Sequence, residues 1–157
     1  MNIRKTCCFI GDRRLPIKKM EYIVKRLSDE IDDLIEKGIT DFISGGGLGF
    51  EQIAASMIVA KKEMGHNIRL IFALPYRSHN ENWSAEQQKL YHNLLGEADE
   101  VRCVSEEYIA GYMKKRNHYM VNNSAYCICA MQSAMNTTGQ AIRYAQQKGV
   151  MVINILK

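Results

Sequence analysis

The residues best able to do chemistry fall just after short apolar runs. The densest group is SGGGLGFE, Ser44 to Glu51, which follows ITDFI and precedes the helical pattern EQIAASMIVAKK. A strand, a glycine turn and a helix start together make an anion site. Free backbone N–H groups point outward there, and the helix dipole is positive. Gly45, Gly46, Gly47 and Gly49 would let a phosphate approach the main chain with no Cβ in the way. No Lys-Ser/Thr follows Gly49, so this is not a Walker loop. Nor does the spacing match GxGxxG. The run follows the second apolar segment, and Arg69 and Leu70 stand about twenty residues on, where a dinucleotide site wants an acid. The competing reading is a tight turn with close helix–strand packing. Glu51 is the one acid at such a loop with access to a ligand. It suits a ribose hydroxyl, a weak catalytic role, or plain support of the helix N-terminus.

Other stretches repeat the theme. Gly11-Asp12-Arg13-Arg14 follows TCCFI. Gly11 permits close approach, and Arg13 could grip a phosphate or carboxylate in a bidentate fork. Gln132 to Gly139 precedes another helical pattern and offers a second anion cradle at Thr137, Thr138 and Gly139. Trp83, in a polar loop after ALPYR, could stack on a base or cap the core, and capping is the favoured reading. Arg116 and Asn117 lie within a helical stretch flanked by Tyr112, Tyr119 and Met120. His66, His79, His92 and His118 are scattered, and the five cysteines lie in apolar runs, so no metal site is expected. Cys127 and Cys129 share one face of their run. Buried, reduced thiols are the expectation.

The elements that must carry these residues alternate from end to end. Expected strands are TCCFIG, ITDFISG, NIRLIFALP, DEVRCVS, SAYCICAM and VMVINIL. Between them lie five helices. In the first, Ile17, Met20, Ile23, Val24, Leu27, Ile31, Leu34 and Ile35 mark the apolar face, with Pro16 near its start and Gly38 at its end. The third covers about 85–95 and the fourth about 108–122. The strands are unalternating and rich in Ile, Val, Phe, Cys and Ala, as in sheets covered on both faces. The fold class is therefore α/β: a single doubly wound Rossmann-like domain over 1–157 with a mostly parallel sheet of about six strands. In such sheets the ligand sits beyond the carboxyl ends of the strands.

Composition agrees. The 157 residues are 46% hydrophobic and 24% charged, with a formal charge of +4. That is enough for a core and compatible with an anionic small ligand, but far from a dedicated duplex binder. No run is long enough to span a membrane or to act as a signal segment, so a cytoplasmic location is expected.

Taken together, G-D-R after the first strand, SGGGLGFEQIAA, ALPY, EADEV, RNHYMVNNSAYCICAM and TTGQAIRYAQQKG resemble the YpsA-like branch of the SLOG superfamily. These are Rossmann-like proteins that include the DprA core and the LOG cytokinin-activating enzymes. The resemblance spans nearly the whole chain. It implies binding or sensing of a nucleotide or nucleotide-derived ligand, ADP-ribose-, NAD- or AMP-like. By position it implies contacts from Gly11, Arg13, Gly45, Gly46, Gly47, Gly49, Glu51, Arg116, Asn117, Thr137, Thr138 and Gly139. The LOG enzymes carry PGGxGTxxE with a catalytic glutamate. Here MNTTGQAIRYA lacks the proline, the paired glycines and the acid. The YpsA-like Gly-Gly-Thr is replaced by Asn136-Thr137-Thr138. Binding is thus favoured over a phosphoribohydrolase, which would have to rely on Glu51. Single-stranded nucleic acid, as bound by DprA, is disfavoured because no Lys/Arg stripe interleaves with aromatics. A homo-oligomer is compatible with the sequence.

Overall fold

The computed structural model describes all residues 1–157. The apolar runs form strands β1 (Thr6–Gly11), β2 (Asp41–Ser44), β3 (Arg69–Leu74), β4 (Glu100–Cys103), β5 (Tyr126–Ala130) and β6 (Met151–Asn154). Helices α1 (Met20–Glu36), α2 (Phe50–Glu63), α3 (Ala85–Gly96), α4 (Tyr112–Asn122) and α5 (Thr137–Gln147) separate them. The six strands make one sheet in the order β4-β3-β2-β1-β5-β6, and every pairing is parallel.

Side chains alternate across the inner strands, so each strand feeds two cores. Phe9, Phe42, Leu70, Phe72 and Ile128 face one layer, where Ile23, Leu27, Ile31 and Leu34 of α1, Phe50 and Ile58 of α2, and Tyr91 of α3 pack. Cys8, Ile10, Ile43, Ile71, Cys127 and Cys129 face the other, under Met120 and Val121 of α4 and Ala141, Ile142 and Ala145 of α5. Both faces being covered explains the continuous apolar runs. Cys7, Cys8, Cys127 and Cys129 are free and buried, and Cys103 is free and exposed.

Three expectations are corrected. Ile17 is 86% exposed because it lies in a 3₁₀ turn, Ile17–Lys19, that precedes α1, and Val24 is 39% exposed beside the buried line of Ile23, Leu27, Ile31 and Leu34 on α1. The fourth helix begins at Tyr112, four residues later than expected. Gly111 takes a left-handed φ of +76°, which an α-helix cannot include. The edge strand β4 is not buried on both faces, and its Val101 is 46% exposed.

The chain steps outward from β1 to β4, then returns to lay β5 on the other side of β1. Loops leaving β1 and β5 therefore diverge at their carboxyl ends. That divergence opens a crevice at the switch in strand order.

Candidate functional site

A cavity of about 620 Å³ opens at this switch point. Its lining includes Gly11 to Arg14 after β1, Gly47, Leu48 and Glu51 after β2, and Gln132 and Asn136 to Thr138 after β5. Pro75, His79 and Trp83 after β3, and Tyr112, Arg116 and Asn117 of α4, complete it. No helix of the protein is long and apolar enough to cross a membrane.

Two carboxylates line the cavity, and protein donors hold both. Glu51 is buried. Its Oε1 accepts from Gly47 N–H at 3.0 Å and from Arg116 Nη1 at 3.0 Å, and its Oε2 accepts from Arg116 Nη2 at 2.6 Å. Arg116 is buried too, and also donates to the Gly45 carbonyl at 3.3 Å and from Nη2 to Asn117 Oδ1 at 2.9 Å. The pair is a closed fork, each charge satisfied by the other. Asp12 accepts from Gln132 N–H, Gln132 Nε2 and Asn136 Nδ2, each at 3.1 Å. It thereby ties the loop after β1 to the loop after β5. Asn136 also caps α5, its Oδ1 accepting from Gly139 N–H at 2.9 Å.

The cations and amides at the rim are uncommitted. Arg13 and Arg14 are exposed, line the cavity and join none of the eight ion pairs. Among the lining residues, the N–H groups of Leu48, Thr137 and Thr138 donate to no protein acceptor. Thr137 and Thr138 open α5, where the helix dipole is positive, and Leu48 lies in the turn just before α2. The other side of the cavity is aromatic. His79 Nε2 lies 2.7 Å from the Tyr91 hydroxyl. Burial, helped by the Arg116 charge, pushes the imidazole pKa down to about 4, so the ring is neutral near pH 7. Burial likewise pushes the Tyr91 phenol up.

Eight of the twelve residues singled out from sequence line this cavity: Gly11, Arg13, Gly47, Glu51, Arg116, Asn117, Thr137 and Thr138. The other four glycines serve close packing. A Cβ on Gly45 would meet the Arg116 guanidinium at 2.4 Å, and one on Gly46 would press on Leu74 at 3.0 Å. A Cβ on Gly49 would lie 2.1 Å from the Arg13 carbonyl oxygen, and one on Gly139 would lie 2.2 Å from that of Ala134. Arg116 lines the cavity with its guanidinium paired to Glu51 within the protein. Trp83 packs against the core, as favoured, and also lines the cavity. Sequence reasoning passed over Arg14, Asp12, His79, Gln132 and Asn136 as site residues. The only signal for Asp12 and Arg14 was adjacency to Gly11 and Arg13. His79 had none, because its hydrogen-bond partner Tyr91 comes from α3.

Two structures of DNA processing protein A share this fold. One, from Helicobacter pylori and described for its single-stranded DNA binding mode, superposes with a TM-score of 0.65 at 18% identity over 94% of this chain. The other, from Streptococcus pneumoniae, gives 0.68 at 13% identity over 95%. This chain spans 63% and 49% of those chains, so it matches part of each. By sequence it is 30% identical over 139 residues to the SPbeta prophage-derived protein YoqJ of Bacillus subtilis, covering 78% of this chain and 81% of YoqJ. It is also 30% identical over 109 residues to the UPF0398 protein ABC2016 of Shouchella clausii, covering 67% of this chain and 57% of that protein. A model of the YspA SLOG family, YpsA, matches residues 15–152, and the chain belongs to that family.

Proposed function

We propose that the cavity binds a phosphorylated small molecule of nucleotide type and that the protein works by binding it. One observation carries this reading. Two unpaired arginines, the free N–H groups at the start of α5 and that of Leu48 just before α2 meet in one cavity, while both of its carboxylates are already held by protein donors. The cavity therefore offers an anion donors and positive charge, with little free negative charge to repel it. Its volume is in the range of small-molecule sites. The same observation speaks against hydrolysis of the ligand. Glu51 accepts three hydrogen bonds within the protein, which leaves it poorly placed to take a proton or activate water.

Thermal unfolding with ADP-ribose, NAD and AMP tests this. At one hundred times Kd a ligand adds about 2.7 kcal/mol, which for a chain of this size raises Tm by several degrees. The shift is expected with at least one of these compounds and should shrink in Arg13→Ala/Arg14→Ala. No shift at millimolar concentrations would count against the reading.

The fold shared with DNA processing protein A brings back single-stranded nucleic acid as a second reading, although the +4 charge counts against it. Salt-sensitive retention of single-stranded DNA would favour it, and no retention at low salt would dispose of it.

A further inference from the structure

The phosphate reading accounts for the polar side of the cavity and leaves its aromatic side unexplained. Six rings from three segments touch in series there. Ring centroids lie 5.5 Å apart for Tyr108 and Tyr112, 5.3 Å for Tyr112 and Tyr76, and 6.3 Å for Tyr76 and His79. The series continues at 5.3 Å for His79 and Trp83, and at 5.1 Å for Trp83 and Tyr91. Four of these five contacts are edge-on, which fixes each ring by its neighbour. His79, Trp83 and Tyr112 also line the cavity, and Tyr108 remains 65% exposed at the end of the series. With His79 neutral, the band carries no formal charge at pH 7.

Its place in the sheet matters as much as its chemistry. The phosphate donors follow β1, β2 and β5, whereas Tyr76, His79 and Trp83 follow β3, two strands from β1. Two strand spacings are roughly 10 Å. A ribose between a phosphate and a base bridges such a gap.

We infer that the aromatic band seats the base of a nucleoside phosphate, with the base stacked on Tyr112 and Trp83. This inference rests on the phosphate reading. Stacking accepts any π-face, so both purine and pyrimidine nucleotides enter.

Ribose 5-phosphate, AMP and UMP titrated into the full chain separate the two ideas. Base–aromatic stacking amounts to roughly five- to 150-fold in affinity per base. AMP should bind at least about fivefold tighter than ribose 5-phosphate. Trp83 is the only tryptophan, so AMP should change its emission while ribose 5-phosphate leaves it unaltered. Tyr112→Ala should narrow the gap between AMP and ribose 5-phosphate several-fold, Trp83 keeping the remainder, and retained binding of ribose 5-phosphate shows that the variant is folded. Tyr112→Phe, which keeps the ring, should restore the difference. Equal affinities in the parent protein, or an undiminished difference in Tyr112→Ala, would overturn the base wall alone. Failure of all three compounds to bind would overturn the phosphate reading and the base wall with it.

Discussion

Arg116 and Glu51 show how one residue's surroundings decide its part. Each is buried, and each is the other's main partner at 2.6 Å. Removing one leaves the other charged and dry. Arg116→Ala should therefore cost about 3–5 kcal/mol in urea unfolding, while Arg116→Met combined with Glu51→Met should recover most of that loss. If the single variant unfolds like the parent, the pair contributes little. His79 makes a different test. Its pKa is about 4 in the fold and roughly 6.5 in an unfolded chain. Between those values the unfolded chain binds more protons, so stability falls as pH drops from about 6.5 to about 4 and this contribution then levels off. Urea midpoints at pH 7 and pH 5 should differ more in the parent than in His79→Asn. Equal differences would show that the imidazole is not held neutral. Neither partnership was legible in the sequence. Arg116 stands 65 residues from Glu51, and His79 stands 12 from Tyr91, across different elements.

Elements were easier to read than partners. A strand covered on both faces must be apolar throughout, and each strand–helix junction carried Gly, Asn or Ser, so the alternation survived in one dimension. What failed were positions where a single backbone angle decides, such as Gly111 at the start of α4. The glycine run shows the limit differently. Its composition suggested a ligand, yet Gly49 has φ +87° with the Arg13 carbonyl where a Cβ would go. Gly149 also has positive φ, +78°, but open space around it. Gly149→Ala should cost about 1–2 kcal/mol, the strain of a left-handed residue alone. Gly49→Ala should cost clearly more, because the loop after β1 must move as well. Denaturant midpoints for the two variants check this, and equal losses would mean that the loop yields freely.

At the scale of the molecule, the two-layered cover of the sheet makes its chemistry selective. Cys7, Cys8, Cys127 and Cys129 lie within it; burial pushes the Cys7 thiol up and Cys129 up to about 12, and a hydrogen bond with Cys8 together with burial pushes Cys127 up. One thiol of the five, Cys103, should react with a thiol reagent in the native state, and all five in denaturant. Faster labelling of a second thiol would expose an opening of the sheet. The strand order has a consequence in time. During synthesis β1 to β4 can assemble with α1 to α3 while Asp12 still lacks Gln132 and Asn136, and Glu51 still lacks Arg116. The crevice is thus finished only when the last third of the chain arrives. A molecule lodged there clasps the completed protein: it lengthens the native lifetime without hastening its birth.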